Sequence, residues 1–278
     1  MIIFTDVDGT LYDFDLKLPA SAKTAIRKLK ENGHQVYMVT GRSKAENSQE
    51  LWDLDFDGII CGNGSYIESH GKVVYHEHLS YDQCRRIADW CERKGLGFYE
   101  ESNNGLFASE TFYEKDGVEA IVRYKKAKGA TPEELENIDL EDVIHGLKRG
   151  EELYRDDVNK ISFVLHSYDD YLEAKKEFAD LTVSTWGGKG EAPIFGDAGI
   201  PDADKAKAIG MLLEYLGEDV KNTIAIGDAK VDIPMLEYCN IGIAMGSGGD
   251  EIKAMADYVT DDVDRDGFYK AFGHFGLI

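Results

Sequence analysis

Two aspartates two residues apart, Asp6 and Asp8 in "TDVDGT", stand directly after an apolar run, where both side chains can face the space beyond a strand end. Two carboxylates in one place repel unless a cation joins them. Mg2+ suits such a site because it takes one or two carboxylates and keeps its other positions for water and phosphate oxygens. Gly9 lets the backbone approach a phosphate closely, and Thr10 can tie the loop through its hydroxyl. A plain Asp-Gly turn fits the same residues. A second acidic pair, Asp228 and Asp232, follows the run "TIAIG" at a spacing of one helical turn, with Pro234 tolerated in a first turn. Together Asp6, Asp8, Asp228 and Asp232 form a cradle for Mg2+. Thr40-Gly41-Arg42 ends a further apolar run and offers a hydroxyl, a flexible backbone and a guanidinium to a phosphate; a capped helix start is the plainer account of it. Lys205 opens a helix and is a candidate for the fixed positive charge that phosphoryl transfer needs, although pattern alone does not separate it from Lys207.

The elements that must position these residues alternate. Ile2 to Thr5 reads as a buried strand, Ser21 to Asn32 as an amphipathic helix closed by Gly33, and "HQVYMV" as a strand ending at Thr40. A helix from Ser43 to Leu54 leads into "FDGIICGNGSYI", a strand and turn. This rhythm implies an α/β fold with a Rossmann-like, doubly wound parallel sheet. It breaks between residues 82 and 185, where "GLGFYEES", "GLFAS" and "KISFVLHS" read as antiparallel strands and "YDQCRRIADWCERK" and "SYDDYLEAKKEFADL" as helices laid across them. An α+β domain inserted at 82–185 into a core made of 1–81 and 186–278 is the expected organisation. After the loop "GDAGIPDAD", "KAKAIGMLLEYLG", "NTIAIGD", "IPMLEYC" and "IGIAM" resume helix and strand in turn.

With 278 residues and 43% hydrophobic side chains, the chain can fill such a core. No run approaches the ~20 apolar residues of a membrane span, and the N-terminus lacks a basic flank. Cys61, Cys84, Cys91 and Cys239 show no CxxC or metal spacing, which fits reduced thiols in a cytoplasmic protein. A net charge of −22 argues against a nucleic-acid partner, and it would repel any anionic substrate. A phosphate site here needs local positive charge from a metal, a lysine or backbone N–H groups.

The four elements in this order resemble the haloacid dehalogenase superfamily of phosphohydrolases, and within it the Cof-type branch with a large α+β cap. "DVDGT", "VTGRS", Lys205 in "KAKAI" and "GDAKVDIPML" match its four motifs, and Asn63-Gly64 and "IAMGSGGDEIKAMADYVT" follow the branch's pattern. The resemblance implies a phosphatase acting on a small phosphorylated metabolite, a sugar phosphate by preference, through an aspartyl-phosphate. It implies Asp6 as nucleophile, Asp8 as general acid and then base, and Thr40 with the backbone around Gly9 and Gly41 holding phosphoryl oxygens, beside Arg42. Lys205 would pair with Asp6 and the phosphate. Mg2+ would lie on Asp6, the Asp8 carbonyl and Asp228, with Asp232 in or beside that shell, and no obligate protein partner is implied. Val231 stands where the family has Asn, and Ser247-Gly248 where it has Asn-Ala.

Two rivals follow. A sugar phosphomutase of the same fold would need a basic grip for a second phosphate, for which Arg123 to Lys128 or Lys160 are candidates; the lost amides fit a weakly active metabolite-binding or regulatory protein. Weaker signals have simpler readings. Asp262, Asp264, Asp266 and Gly267 imitate a calcium loop whose twelfth position is Gly273 instead of Glu, so an acidic turn suffices. Arg123, Lys125, Lys126 and Lys128 around Tyr124 read as a solvated helix end, and His34, His76, His78 and His166 as surface or packing residues. "GSGG" at 246–249 lacks the lysine of a P-loop.

Overall fold

Short runs rich in β-branched residues, bounded by Gly, Asn and Asp, favour buried strands. They form two sheets in the computed structural model, which describes residues 1–13, 17–127, 129–188 and 192–278. The sheets belong to two compact units, the first comprising Met1–Arg42, Gln49–His76 and Ala203–Ile278, the second Ser43–Ser48 and Glu77–Asp202.

The first unit contains β1 (Ile2–Thr5), β2 (Gln35–Val39), β3 (Gly58–Cys61), β4 (Tyr66–Ser69), β5 (Lys72–His76), β12 (Thr223–Gly227), β13 (Ile241–Ala244) and β14 (Tyr258–Val259), numbered along the whole chain. Their order is β14-β13-β12-β1-β2-β3-β4-β5. β14 through β3 run parallel, and β4 and β5 add an antiparallel hairpin. Alternation along the strands sends Ile3, Val36, Met38 and Ile224 into a core with Ala22, Ala25, Ile26 and Leu29 of the helix Ala20–Glu31. Ile2, Phe4, Tyr37 and Ala225 enter another core with Ala208, Ile209, Leu212 and Leu213 of the helix Lys205–Leu216. Both faces are therefore covered, as a doubly wound sheet requires. β1 lies between β12 and β2, so the chain order reverses beside it and the C-terminal ends of these three strands form the switch point where α/β sheets bind ligands.

The expected helix from Ser43 to Leu54 is broken. A 3-10 turn at Lys44–Glu46 gives way to extended Asn47, and a helix restarts at Gln49–Trp52. The Ser43 N–H donates to Glu46 Oε1 at 2.6 Å, while Asn47 Nδ2 donates to the Ser43 carbonyl at 3.2 Å, so side chains satisfy groups that a continuing helix would use. The near-C-terminal acidic turn is a 3-10 turn, Val263–Arg265, with Asp266 at φ 63°, leading directly into the helix Gly267–His274.

In the second unit β6 (Phe98–Ser102), β7 (Gly105–Ala108), β8 (Leu147–Arg149), β9 (Val158–Val164), β10 (Thr182–Trp186) and β11 (Phe195–Gly199) form a sheet of order β10-β11-β9-β6-β7-β8. Its pairings are antiparallel except for β7 with β8. Trp90 of the helix Tyr81–Lys94 packs edge-on against Phe163 of β9 and against Phe178, just past the helix Tyr168–Glu177. This unit is wider than the segment 82–185, because the Gly- and Asp-rich "FGDAG" pairs as β11 and Ser43–Ser48 joins it. Arg123 donates to the Leu165 carbonyl at 3.1 Å and Tyr124 packs against Trp186; Lys128 of the expected basic cluster lies outside the described residues. All four cysteines are buried and free, and among the described residues no helix is long and apolar enough to cross a membrane.

Glu100 on β6 is fully buried, and neither carboxylate oxygen has a hydrogen-bond partner among the described residues. Burial pushes its pKa up to about 8, with Arg155 opposing. The native state then keeps a proton that the unfolded chain loses above its ordinary pKa of 4.5, so stability is greatest below that pH and falls as pH rises toward 8. Glu100→Gln removes this slope and gains on the order of 3 kcal/mol at pH 7. Urea unfolding from pH 4.5 to 8 checks it: parallel curves for the two proteins would refute the assignment.

Candidate functional site

β1 delivers Asp6 to the switch point, and its backbone N–H donates to the Ile226 carbonyl of β12 at 3.0 Å, which fixes the strand end. β12 delivers Asp228, and the 3-10 turn Lys230–Asp232 brings Asp232 back beneath it. Lys205 is the first residue of its helix, capped by Asp204, whose Oδ1 accepts the Lys207 N–H at 2.8 Å. Gly64 lets that cap approach: a Cβ on it would lie 2.6 Å from the Asp204 carbonyl. Lys205 is 2% exposed while Lys207 is exposed, which separates the two lysines that sequence pattern left together.

The Lys205 ammonium donates to Asp6 Oδ1 at 2.7 Å, to Asp232 Oδ1 at 2.6 Å and to the Val39 carbonyl at 3.4 Å. Oδ2 of Asp232 accepts the N–H groups of Asp228 at 3.2 Å and Ala229 at 3.0 Å, so this fully buried carboxylate positions both the lysine and the turn. Gly227 makes room for it, since a Cβ there would lie 2.6 Å from Asp232 Cβ. The carboxylates hold Lys205 firmly protonated against its burial. Burial, Asp232 and Asp228 push Asp6 well above the usual carboxylate range, with Lys205 opposing. Burial and Asp232 push Asp228 up to about 7. One ammonium does not balance these acids.

Asp8 faces elsewhere. Its carboxylate takes a two-pronged pair from Arg42, with Nε donating to Oδ2 at 2.9 Å and Nη2 to Oδ1, and the guanidinium lies 5.8 Å from the centre of the Tyr12 ring. Arg42, expected to hold phosphate, thus holds Asp8. Thr40 is buried at the end of β2 and its Oγ1 accepts the Arg42 N–H at 3.1 Å. Gly41 passes under Asn63, where a Cβ would come 3.0 Å from Oδ1. Asn63, at φ 55°, donates its N–H to the Thr40 carbonyl at 3.1 Å. Gly9, at φ +87°, runs against Asp228, and a Cβ there would lie 2.3 Å from Oδ2.

Three of the four acids expected around a cation, Asp6, Asp228 and Asp232, offer oxygens within 4.8 Å of one another. Lys205 and two backbone amides engage Asp232, whereas Asp228 Oδ1 is buried without a hydrogen-bond partner among the described residues. An orphaned carboxylate oxygen in an acid-rich, desolvated cluster fits a divalent cation on Asp6 and Asp228, with Asp232 behind them.

Sequence reading gave Asn63 a place in a turn and in the family branch's pattern, without a role in the site. Its left-handed backbone is the local signal that a dipeptide Asn-Gly carries. Of the two departures, Val231 is 49% exposed, and the turn is held by Asp232 without an amide at that position. Gly248 passes so close to the Asp228 carbonyl that a Cβ would lie 2.8 Å away, and the neighbouring Ser247 Oγ is buried without a hydrogen-bond partner among the described residues.

Residues 3–272 match the family model described as haloacid dehalogenase-like hydrolase. The chain is 27% identical to the putative phosphatase YkrA of Bacillus subtilis, over all of this chain and 98% of that one. It is 25% identical to the 5-amino-6-(5-phospho-D-ribitylamino)uracil phosphatase YcsE of the same organism, over 99% and 96%. The solved structure of a sugar phosphatase of HAD subclass IIB superposes with a TM-score of 0.75 at 26% identity, covering 100% of this chain and 99% of that chain.

If the cation lies on Asp6 and Asp228, Mg2+ at ~100 times its dissociation constant adds about 2.7 kcal/mol to stability. Affinity should climb as pH rises through about 7, because binding displaces the Asp228 proton. A melting-temperature titration of the wild type and Asp228→Asn tests both; equal shifts in the two proteins would place the ion elsewhere.

Proposed function

This chain belongs to the haloacid dehalogenase-like hydrolases, within their Cof-type phosphatase branch, and from that premise we propose that it is a magnesium-dependent phosphatase of a small sugar or polyol phosphate. The observation that carries this reading is the Asp6 carboxylate, held at the end of the central β1 by a buried ammonium 2.7 Å away. The names of the relatives support the substrate class, since a sugar phosphatase and a ribitylamino-uracil phosphatase both act on the phosphate of a hydroxylated carbon chain.

In the proposed reaction an Asp6 oxygen attacks phosphorus as the bond to the leaving oxygen breaks, and Asp8 gives that oxygen its proton. Asp8, now a carboxylate, takes a proton from water, which attacks the aspartyl-phosphate, releases inorganic phosphate and restores Asp6. The two-pronged pair with Arg42 fixes the orientation of the Asp8 carboxyl group. Thr40 and the backbone at Gly9 and Gly41 hold the phosphoryl oxygens, and Lys205 stabilises charge on them and orients Asp6. A divalent cation on Asp6 and Asp228 would screen the substrate's phosphate from the surrounding carboxylates. This local charge answers the −22 of the whole chain.

Asp6→Asn should lower kcat at least about 10³-fold. Asp8→Asn should cost about 10²–10⁴-fold on an alkyl phosphate but far less on p-nitrophenyl phosphate, whose leaving group departs without a proton. Phosphate release from a panel of phosphorylated metabolites with Mg2+, and after chelation, is the measurement. Wild type no faster than Asp6→Asn on every compound would end the phosphatase reading.

A further inference from the structure

Three Asn-Gly dipeptides occur in the chain, at Asn32, Asn63 and Asn104. In each, the glycine carries no Cβ to keep its backbone nitrogen from the carboxamide carbon of the preceding asparagine. Their surroundings differ. Asn32 caps the C-terminus of the helix Ala20–Glu31; its Nδ2 donates to the Leu277 carbonyl at 2.7 Å, and the Gly33 N–H donates to the Lys30 carbonyl at 2.9 Å. Asn63 is held at φ 55° with its N–H on the Thr40 carbonyl, and a Cβ on Gly64 would lie 2.6 Å from the Asp204 carbonyl. That neighbour is backbone, which does not move aside for a new ring.

Asn104 is exposed at the turn between β6 and β7, where Ser102 opposite Gly105 is the last rung of the ladder and the first to fray. The Lys148 ammonium, from β8, donates to the Asn104 carbonyl at 3.0 Å. This bond draws electrons out of the peptide group between Asn104 and Gly105 and makes the Gly105 N–H more acidic. Lys148 is also what crowds Gly105, since a Cβ there would come 2.8 Å from Lys148 Cε, the far end of a flexible side chain. The Asn104 carboxamide is held as well, with Nδ2 donating to Asp157 Oδ2 at 3.0 Å. Asp157 further accepts from Ser102 Oγ at 3.0 Å and from Arg155 Nε at 2.7 Å. Against its burial these donors hold it down at about 2, so it is ionised at neutral pH.

We propose that Asn104 is a site of spontaneous deamidation, and that the carboxylate it leaves beside Asp157 loosens the β6–β7 turn. The deprotonated Gly105 nitrogen bonds to the carboxamide carbon of Asn104. The bond from that carbon to Nδ2 breaks, and the nitrogen leaves as ammonia, carrying a proton equivalent to the one lost from Gly105. Water then opens the cyclic imide at either carbonyl and gives aspartate or isoaspartate, so the net change is water in and ammonia out. The contact of Nδ2 with Asp157 survives until departure, because ammonia still donates. Afterwards a hydrogen-bond donor has become an anion facing an ionised acid. The isoaspartate product also adds a methylene to the main chain next to the last rung. Asn103, the other turn residue, accepts the Lys44 N–H at 3.2 Å and Asn159 Nδ2 at 3.0 Å, and a loosened turn weakens both bonds. This inference stands apart from the phosphatase reading.

Peptide mapping of the folded protein aged at neutral and at alkaline pH tests it, by following the mass gain of amide-to-acid conversion and the isoaspartate content at each of the three asparagines. Asn104 should react first, and faster at alkaline pH because the nucleophile is a deprotonated nitrogen. Lys148→Met should slow Asn104 about threefold or more while Asn32 and Asn63 keep their rates. Asn104→Asp, which carries the product's charge on an ordinary backbone, should melt about 2 °C or more below the wild type, and Asn104→Ser, which puts no charge beside Asp157, should fall less. An Asn104 that keeps its amide, or that reacts after Asn32 or Asn63, would overturn the site. An unchanged rate in Lys148→Met would overturn the part given to the lysine, and an Asn104→Asp protein that melts with the wild type would overturn the effect on the turn.

Discussion

A lysine with 2% of its surface exposed, bonded at once to Asp6 and Asp232, is the contact around which the first unit is arranged. An ammonium and two carboxylates lose several kcal/mol each on leaving water, and only close geometry with every remaining lone pair engaged recovers it. The backbone around Asp232 meets that condition for this carboxylate. Asp232 receives two amides as well as the lysine, Gly227 clears space for it, and Asp204 and Gly64 set the helix whose first residue is Lys205. The parallel pairing of β1 with β12 brings the two acids of different strands to one place, and the register Thr5 opposite Ile226 fixes how far each extends.

The same charges explain why this cluster is chemically poised and not merely structural. If each acid had its own cation, desolvation would be compensated and none would sit far above the ordinary carboxylate range. Here Asp6 and Asp228 are both pushed upward, and an oxygen of Asp228 lacks a donor among the described residues. Arg42 cannot supply the deficit because it is spent on Asp8, at the outer edge of the cluster. The positive charge that is missing is the one a divalent ion brings, and a phosphate entering without it would meet carboxylates on several sides.

Sequence reading reached furthest where the signal is local. Strand ends with Asp-x-Asp, Thr-Gly-Arg and a later Asp pair were legible because each set is a few residues long and the parallel order of an α/β sheet assembles them at one edge; Asp6, Asp228, Asp232 and Lys205 do converge there. Distant partners were not legible. Nothing near Arg42 announces that it pairs with Asp8, and the helix drawn through Ser43–Leu54 missed an interruption that Glu46 and Asn47 make locally and that Asn103 and Asn159, more than fifty residues away, reinforce. "FGDAG" escaped as a strand because Gly and Asp have low β-propensity, and it is held instead by pairing on both sides, with β9 and β10.

Those misses share a physical origin. Propensity and periodicity report on apolar burial, so they find cores; they are blind to charge placed where a core would be expected. In β9 the run "NKISFV" reads as a strand with Lys160 as its one charged residue, and sequence logic sends a lysine outward as a solvated face or a basic grip. The register instead sets it against Glu101 on the half-face of the sheet that the neighbouring helix leaves polar. A lysine neutralised by acids on its own sheet attracts no anion, so the sign of the local field is opposite to the one its residue type suggests. The acids around Asp6 share the single ammonium of Lys205, and in the second unit Glu101 and Asp197 share that of Lys160.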